Sequence, residues 1–336
     1  MAEALSNSYV QLGLKMSVLL ILLPATLVLG WVELKIGAHM QARLGPMYPG
    51  GFHGWAQTLA DGIKFVLKEN IIPKNVDKAV FSMVPYVTML GAALSFVVIP
   101  AGRNLVIEDL EVGVFYVLAA SSVGVIGILM AGWASANKYS LLGALRAAAQ
   151  LIAYELPLVL AVAAVAMMAG SLSLIDIVES QKQIEIAGFY IPFLPFQIVG
   201  FFVFLTAATA ELTRPPFDMP VAEAELITGA FTEYTGIRFA FSVFAAEYIA
   251  MIGLAALGAT LFLGGYAPPH RALDFVPGIV WLIAKTVTIL FLLIWVRWTY
   301  PRLREDQLQK FAWKFLIPLS LVNILATGAL KLTPWI

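Results

Sequence analysis

Cysteine is absent from the 336 residues of this chain. That excludes disulfides, thiolate zinc sites, a cysteine nucleophile and any iron–sulfur cluster ligated by this chain. With only 3 histidines, a haem or metal centre built from this chain alone is not expected, so electrons moving nearby are carried by something else. Charge is scarce too. Charged residues make up 12% and hydrophobic residues 60%, where a soluble domain carries about 25% charged side chains. The soluble enzyme, the disordered linker and the fibrous protein are excluded together. Net charge is also missing, because 21 Lys and Arg face 21 Asp and Glu, which leaves no electrostatic case for nucleic acid.

What the chain has instead is long uncharged runs. About 20 predominantly apolar residues cross the hydrocarbon layer of a bilayer. Charge-free stretches cover 16–32, 79–102, 112–137, 156–175, 186–210 and 315–330. Two more are interrupted once, 239–270 by Glu247 and 275–296 by Lys285. The expectation is an all-α, polytopic membrane protein with about eight transmembrane helices, forming a single membrane domain over 1–336. Pro85, Pro192 and Pro195 predict kinks, which neighbouring helices tolerate. The first run lacks a small-residue cleavage site and leads straight into charged residues, so it reads as a span and not a signal peptide. No repeat of fixed period is visible, nor an inverted pair of broken helices of the transporter kind.

Lys and Arg alternate between the connections. The odd connections hold fifteen, among them Arg43, Lys64, Arg146, Arg214 and Arg302; the even ones and the tail hold Arg103, Lys182, Arg271 and Lys331. By the positive-inside rule the odd connections face the cytoplasm and both termini lie outside. The first connection is long enough for its own helix, about 54–69. Trp55, Leu59, Ile63, Val66 and Leu67 recur at helical spacing, opposite a stripe of Gln57, Asp61, Lys64 and Lys68. Such a helix suits the membrane interface.

Ionisable groups inside or against apolar spans cost a few kcal/mol each and are functional candidates by default. They are Glu33, Glu155, Glu211, Glu223, Glu225, Glu233, Glu247 and Lys285. Desolvation and like-charged neighbours push buried carboxyls toward the protonated form, so several joined by water form a proton relay. Competing readings are structural: Glu33 beside Lys35 at an interface, an ion pair between Glu155 and Arg146, a local pair of Glu211 with Arg214, and a snorkelling Lys285. Glu247 is embedded among apolar neighbours, where a solvated face fails. The densest group is Glu211 to Tyr234, within an acidic cytoplasmic connection over about 211–238. There Leu226, Ile227, Ala230 and Phe231 interleave with the acids and argue for burial, and helical spacing puts Glu225 and Glu233 on nearly one face.

Several motifs resemble one family. Gly54-Trp55-Ala56-Gln57-Thr58-Leu59-Ala60-Asp61-Gly62-Ile63-Lys64 through Lys68-Glu69 is similar to the first signature of the H subunit of proton-pumping NADH–quinone oxidoreductase (complex I). Pro216-Phe217-Asp218-Met219-Pro220 with Glu223, Glu225 and Gly229 is similar to its second. Gln41-Ala42-Arg43-Leu44-Gly45-Pro46, Asn137-Lys138-Tyr139-Ser140-Leu141-Leu142-Gly143 and the segment 297–314 also match. The resemblance runs from about Glu33 to Lys314.

It implies a membrane subunit at the foot of a peripheral redox arm, in the inner (plasma) membrane of a bacterium. Its substrate would be a quinone, ubiquinone or menaquinone, with no metal, haem or iron–sulfur cluster in this chain. Its partners would be the lipid bilayer, cluster-bearing soluble subunits, and small and antiporter-like membrane subunits. By motif, Arg43, Gln57, Asp61, Lys64, Phe217 and Asp218 would line the quinone chamber or its approach. Glu155, Glu211, Glu223, Glu225, Glu233 and Glu247 would form the proton path, with Arg146, Arg214, Arg297 and Arg302 balancing its charge. Two positions depart from the family pattern: Leu34 stands where an arginine is usual, and Val221 where an acid is usual. The alternatives are a variant complex with another electron donor, ferredoxin-type or hydrogenase-like, and a stand-alone ion transporter.

Overall fold

The computed structural model describes residues 8–186, 188–219 and 227–332. The described chain is helical apart from one two-residue hairpin, β1 (Glu185–Ile186) with β2 (Phe189–Tyr190). In chain order the helices are α1 (Ser8–Met40), α2 (Gln57–Leu67), α3 (Lys78–Leu94), α4 (Gly113–Ala134), α5 (Lys138–Ala169), α6 (Leu174–Gln183), α7 (Ile198–Glu211), α8 (Gly236–Phe262), α9 (Gly278–Thr299) and α10 (Glu305–Lys331). Among the described residues, seven are long and apolar enough to cross a membrane: α1, α3, α4, α5, α8, α9 and α10. The chain is an all-α polytopic membrane protein.

The eighth expected span differs. The run 186–210 yields only α7, 14 residues long, roughly 21 Å at 1.5 Å per residue against about 30 Å of hydrocarbon. Pro192 and Pro195 supply no N–H and disfavour helix in the residue before them, so the helix begins only at Ile198. Irregular backbone at this depth must be satisfied by protein: the Leu194 N–H donates to the Phe262 carbonyl and the Gln197 N–H to the Phe193 carbonyl, each at 3.0 Å, and two buried glutamines add side-chain bonds. The Phe193 N–H donates to Gln181 Oε1 at 3.0 Å. Gln197, at the α7 N-terminus, donates to Thr327 and accepts from Asn323 of α10 at 2.6 and 2.9 Å.

The fourth span starts far earlier than residue 156. Asn137 caps α5 by accepting the Tyr139 N–H at 2.9 Å, and the helix continues for 32 residues to Gly170, whose left-handed φ of 78 ends it. Lys138, Arg146 and Glu155 therefore ride on a helix, and the connection before it shrinks to 135–137. A hydropathy window marks where a helix crosses lipid, not where it begins.

Packing relies on small residues, as close approach of membrane helices requires. A Cβ at Gly127 of α4 would meet Thr88 Cγ2 of α3 at 2.5 Å, and one at Gly143 of α5 would meet the Gly229 Cα at 2.8 Å. The second contact presses α5 onto the connection after α7. The first connection carries α2 within the expected range. Thr58 ties its start to the Leu27 carbonyl at 2.8 Å. Beyond its end, the Ile71 N–H donates to Thr235 Oγ1 at 3.0 Å. Its apolar stripe, Leu59, Ile63, Val66 and Leu67, is exposed.

Candidate functional site

The site begins where α7 stops. Glu211 is its last residue, and Thr213 turns the chain with a φ of 51. The Arg214 N–H reaches back to the Thr209 carbonyl at 3.3 Å, and Phe217 closes the turn onto the Arg214 carbonyl at 2.8 Å. Gln150 of α5, fully buried, clamps both sides of this turn: its Nε2 donates to the Ala210 and Phe217 carbonyls, each at 2.7 Å. The turn drives Arg214 inward until 3% of it is exposed.

There it meets two acids from distant helices. Nη1 donates to Glu33 of α1 at 3.0 Å and Nε to Glu247 of α8 at 2.6 Å. The guanidinium also lies 5.3 Å from the Tyr248 ring centre. The other oxygen of Glu33 accepts from Arg297 of α9. The result is a chain of alternating charge, Glu247, Arg214, Glu33, Arg297, two acids against two cations. Burial works against the Arg214 charge, but Glu247 and Glu33 outweigh it and hold the guanidinium above its ordinary pKa.

Beside this network lies a partly open cavity of about 190 Å³, lined by Glu211 and Glu247, by Ser121, Thr213 and Ser242, and otherwise mainly by apolar side chains. Glu211 Oε2 and Ser242 Oγ are buried with no partner among the described residues. Unsatisfied polar atoms around a space of this size suit ordered water. Glu155 accepts from Ser122 and is near enough to Glu211 to interact with it electrostatically. Two acids thus line the pocket, with Glu155 close behind Glu211, and among the described residues Glu247 is the one of the three held by an arginine. After its first α-helical turn α8 carries a turn of π-helix, Ala240–Ala245, just before Glu247; such turns often mark functional positions.

Several expectations are corrected. Arg146 does not balance Glu155. Nine residues apart on one helix is two and a half turns, so the two side chains leave on opposite faces. Arg146 instead pairs with Glu305 at 3.9 Å, in an open groove that Arg302 also lines. Arg214 ignores Glu211, because the helix has ended between them. Glu233 is not with the cavity acids: it accepts from Asn137 Nδ2 at 2.7 Å, in a surface groove with Lys74 and Lys138. Ile227 and Gly229, with φ of 64 and 57, break any helix leading to it, so no continuous helical face reaches Glu233. Glu223 and Glu225 lie outside the described residues.

The residues assigned to a chamber are also dispersed. Arg43 is exposed and donates to Gln41 at 2.7 Å. Gln57 and Lys64 both bond Asp61, at 3.0–3.1 Å and 3.0 Å, along one face of α2. Phe217 is core, 3% exposed, with its ring 5.1 Å from Tyr154 and 6.5 Å from Phe311. Asp218 beside it is half-buried.

Three contributors are missing from the site assigned by motif: Glu33, Gln150 and Tyr248. Glu33 is 4% exposed, whereas Lys35 turns away to the Pro46 carbonyl. On a helix, residues two apart do not face one another, and that is the signal the sequence offers. Leu34, the departure from the family pattern, is 40% exposed; Glu33 receives its cations from α9 and the turn after α7.

Comparison with known proteins places this geometry in context. The family model for NADH dehydrogenase matches residues 14–328. The curated H subunit of NADH-quinone oxidoreductase from Brevibacillus brevis is 46% identical over 301 residues, 90% of this chain and 84% of the relative. Its namesake in Bacillus cytotoxicus is 45% identical over 326 residues, 97% of this chain and 95% of the relative. That of Bacillus cereus is 46% identical over 299 residues, 89% and 87% respectively.

Proposed function

The chain belongs to the NADH dehydrogenase family as a membrane subunit of the NADH-quinone oxidoreductase (complex I) type, and on that premise we propose that Glu155, Glu211 and Glu247 form the coupling path between quinone reduction and proton movement. The observation that carries the reading is the cavity shared by Glu211 and Glu247 beside a buried, charge-balanced arginine network. A carboxylate with no cation at its side, as at Glu211, is costly in a low-dielectric interior and gains by taking a proton. Glu247 has two options, the fixed charge of Arg214 or the cavity. A change in charge or proton demand at the quinone would shift that balance and pass a proton along the acids toward the pumping subunits. Glu223, Glu225 and Glu233 would extend the path at its cytoplasmic end. Arg214 and Arg297 balance Glu247 and Glu33 at its edge, while Arg146 and Arg302 serve the surface groove.

In this reading the quinone, ubiquinone or menaquinone, is reduced by a cluster of a soluble partner subunit. Arg43, Gln57, Asp61, Lys64, Phe217 and Asp218 border its approach, and the exposed apolar stripe of α2 supports contact with the quinone tail, lipid or partner. The membrane is the inner (plasma) membrane of a bacterium, with the odd connections, α2 and the turn after α7 on the cytoplasmic side. Small and antiporter-like membrane subunits receive the signal laterally. The complete complex, reconstituted in vesicles, tests the acids: Glu211→Gln and Glu247→Gln should leave quinone reduction running and lower the protons moved per quinone reduced. An unchanged ratio in both variants would remove them from the path.

A further inference from the structure

At the opposite end of the bundle from the acidic turn, α9 carries a lysine that no carboxylate answers. Lys285 Nζ donates to the Gly265 and Ala267 carbonyls at 3.0 and 2.6 Å. Two of its three protons are used, and no acid lies within ion-pair distance among the described residues. One turn earlier on the same face stands Trp281, whose Nε1 is buried with no hydrogen-bond partner. Both line a pocket of about 350 Å³, together with Leu263, Ala267, Ala284 and Thr288. Gln181, which also borders it, is saturated: its amide donates to the Ile177 and Thr260 carbonyls and accepts from Phe193. The pocket therefore presents two N–H donors and a positive charge, and needs an anionic acceptor.

The level and the surroundings identify which one. α8 ends at Phe262, and the carbonyls that hold Lys285 lie just beyond it, so the ammonium stands at the membrane boundary where headgroups lie. A lysine stem running along apolar surface to such a level is the expected arrangement. Below the pocket, Ala284, Thr288, Phe291 and Trp295 are exposed along one face of α9, with the Phe291 and Trp295 rings stacked at 6.4 Å. That stripe leads from the charged pocket along the membrane-spanning length. We propose that this pocket binds the phosphate of a membrane phospholipid through Lys285 and Trp281, with an acyl chain lying along the stripe. Charge complementarity selects the anionic headgroup, and the adjoining apolar track selects a lipid over a free anion.

The test is photo-crosslinking in the complete membrane complex, reconstituted in phosphatidylglycerol vesicles, with p-benzoylphenylalanine replacing Thr288. Thr288 bonds only its own helix, at the Ala284 carbonyl, so the replacement removes no tertiary hydrogen bond. Irradiation should give this subunit carrying one phospholipid mass. Lys285→Met should lower the yield about tenfold, as loss of a hydrogen bond to a charged group predicts, while Lys285→Arg retains it. Should Lys285→Met fail to assemble, Trp281→Phe keeps an aromatic side chain, removes the N–H and should lower the yield about threefold to tenfold. An adduct to another subunit, a lipid adduct indifferent to both side chains, or suppression of adduct formation by inorganic phosphate present during irradiation would overturn the proposal.

Discussion

Replacing Arg214 by Met keeps the apolar stem and removes the guanidinium that joins Glu33 and Glu247 at 3.0 and 2.6 Å. Glu33 retains Arg297. Glu247 retains no cation among the described residues. Deleting one partner of a buried ion pair costs about 3–5 kcal/mol. The Glu247 side chain is 27% exposed and borders the cavity, which puts the cost at the lower end, about 3 kcal/mol. At about 1.4 kcal/mol per factor of ten, the half-life of the assembled complex at a fixed elevated temperature should shorten about a hundredfold. Removing the stranded acid as well, in Arg214→Met with Glu247→Gln, should recover about 1–2 kcal/mol, and so roughly tenfold in half-life. The assay is timed heating of the purified complex in mild detergent, followed by native electrophoresis to score retention of this subunit. A double variant that decays as fast as the single one would refute the stranded-charge account. A single variant as durable as the parent would refute the pairing itself.

Two further outcomes follow from the same structure. Gln150→Leu removes both amide bonds that clamp the turn after α7; at about 0.5–1.5 kcal/mol per bond it should cost about 2 kcal/mol in the same heating assay, and an unaltered half-life would mean the turn holds itself. At Glu179 on α6, burial alone would raise the carboxyl pKa, but the Tyr266 hydroxyl and Lys182 ammonium outweigh it and hold it below its ordinary value. A depressed folded-state pKa stabilises the folded chain above the ordinary carboxylate value, and that contribution is lost as pH falls through the lowered one. Heating curves recorded across the acid limb should therefore be flatter for Glu179→Gln than for the parent, and parallel curves would contradict the pairing.

Much of this architecture is legible in the sequence, for stated physical reasons. An apolar run of sufficient length has few fates other than a span, and among the described residues seven of the eight runs lie in helices long and apolar enough to cross. The exception, α7, is cut short by two prolines whose positions are visible but whose consequence is not: a kink and a late helix start look the same in a hydropathy profile. Glu211, Arg214 and Glu247 stand out because charge is expensive among apolar residues. What escapes is direction. Lys35 is a sequence neighbour of Glu33 yet points elsewhere, and Arg146 sits half a turn out of phase with Glu155. Gln150 escapes for another reason. A neutral amide in an alanine-rich helix leaves no pattern, although it holds the turn that positions Arg214. The chamber residues are assigned by motif, and in the single chain they are spread between the exposed turn after α1, one face of α2 and the packed core around Phe217.

Whether a carboxyl beside the cavity changes protonation when quinone is reduced can be observed directly. Reaction-induced infrared difference spectroscopy of the complete complex, recorded as quinone is reduced, should contain a protonated-carboxyl band that disappears in Glu211→Gln and changes in Glu247→Gln. The same band, unaltered in both variants while quinone reduction proceeds, would contradict the assignment of these acids to the coupling path.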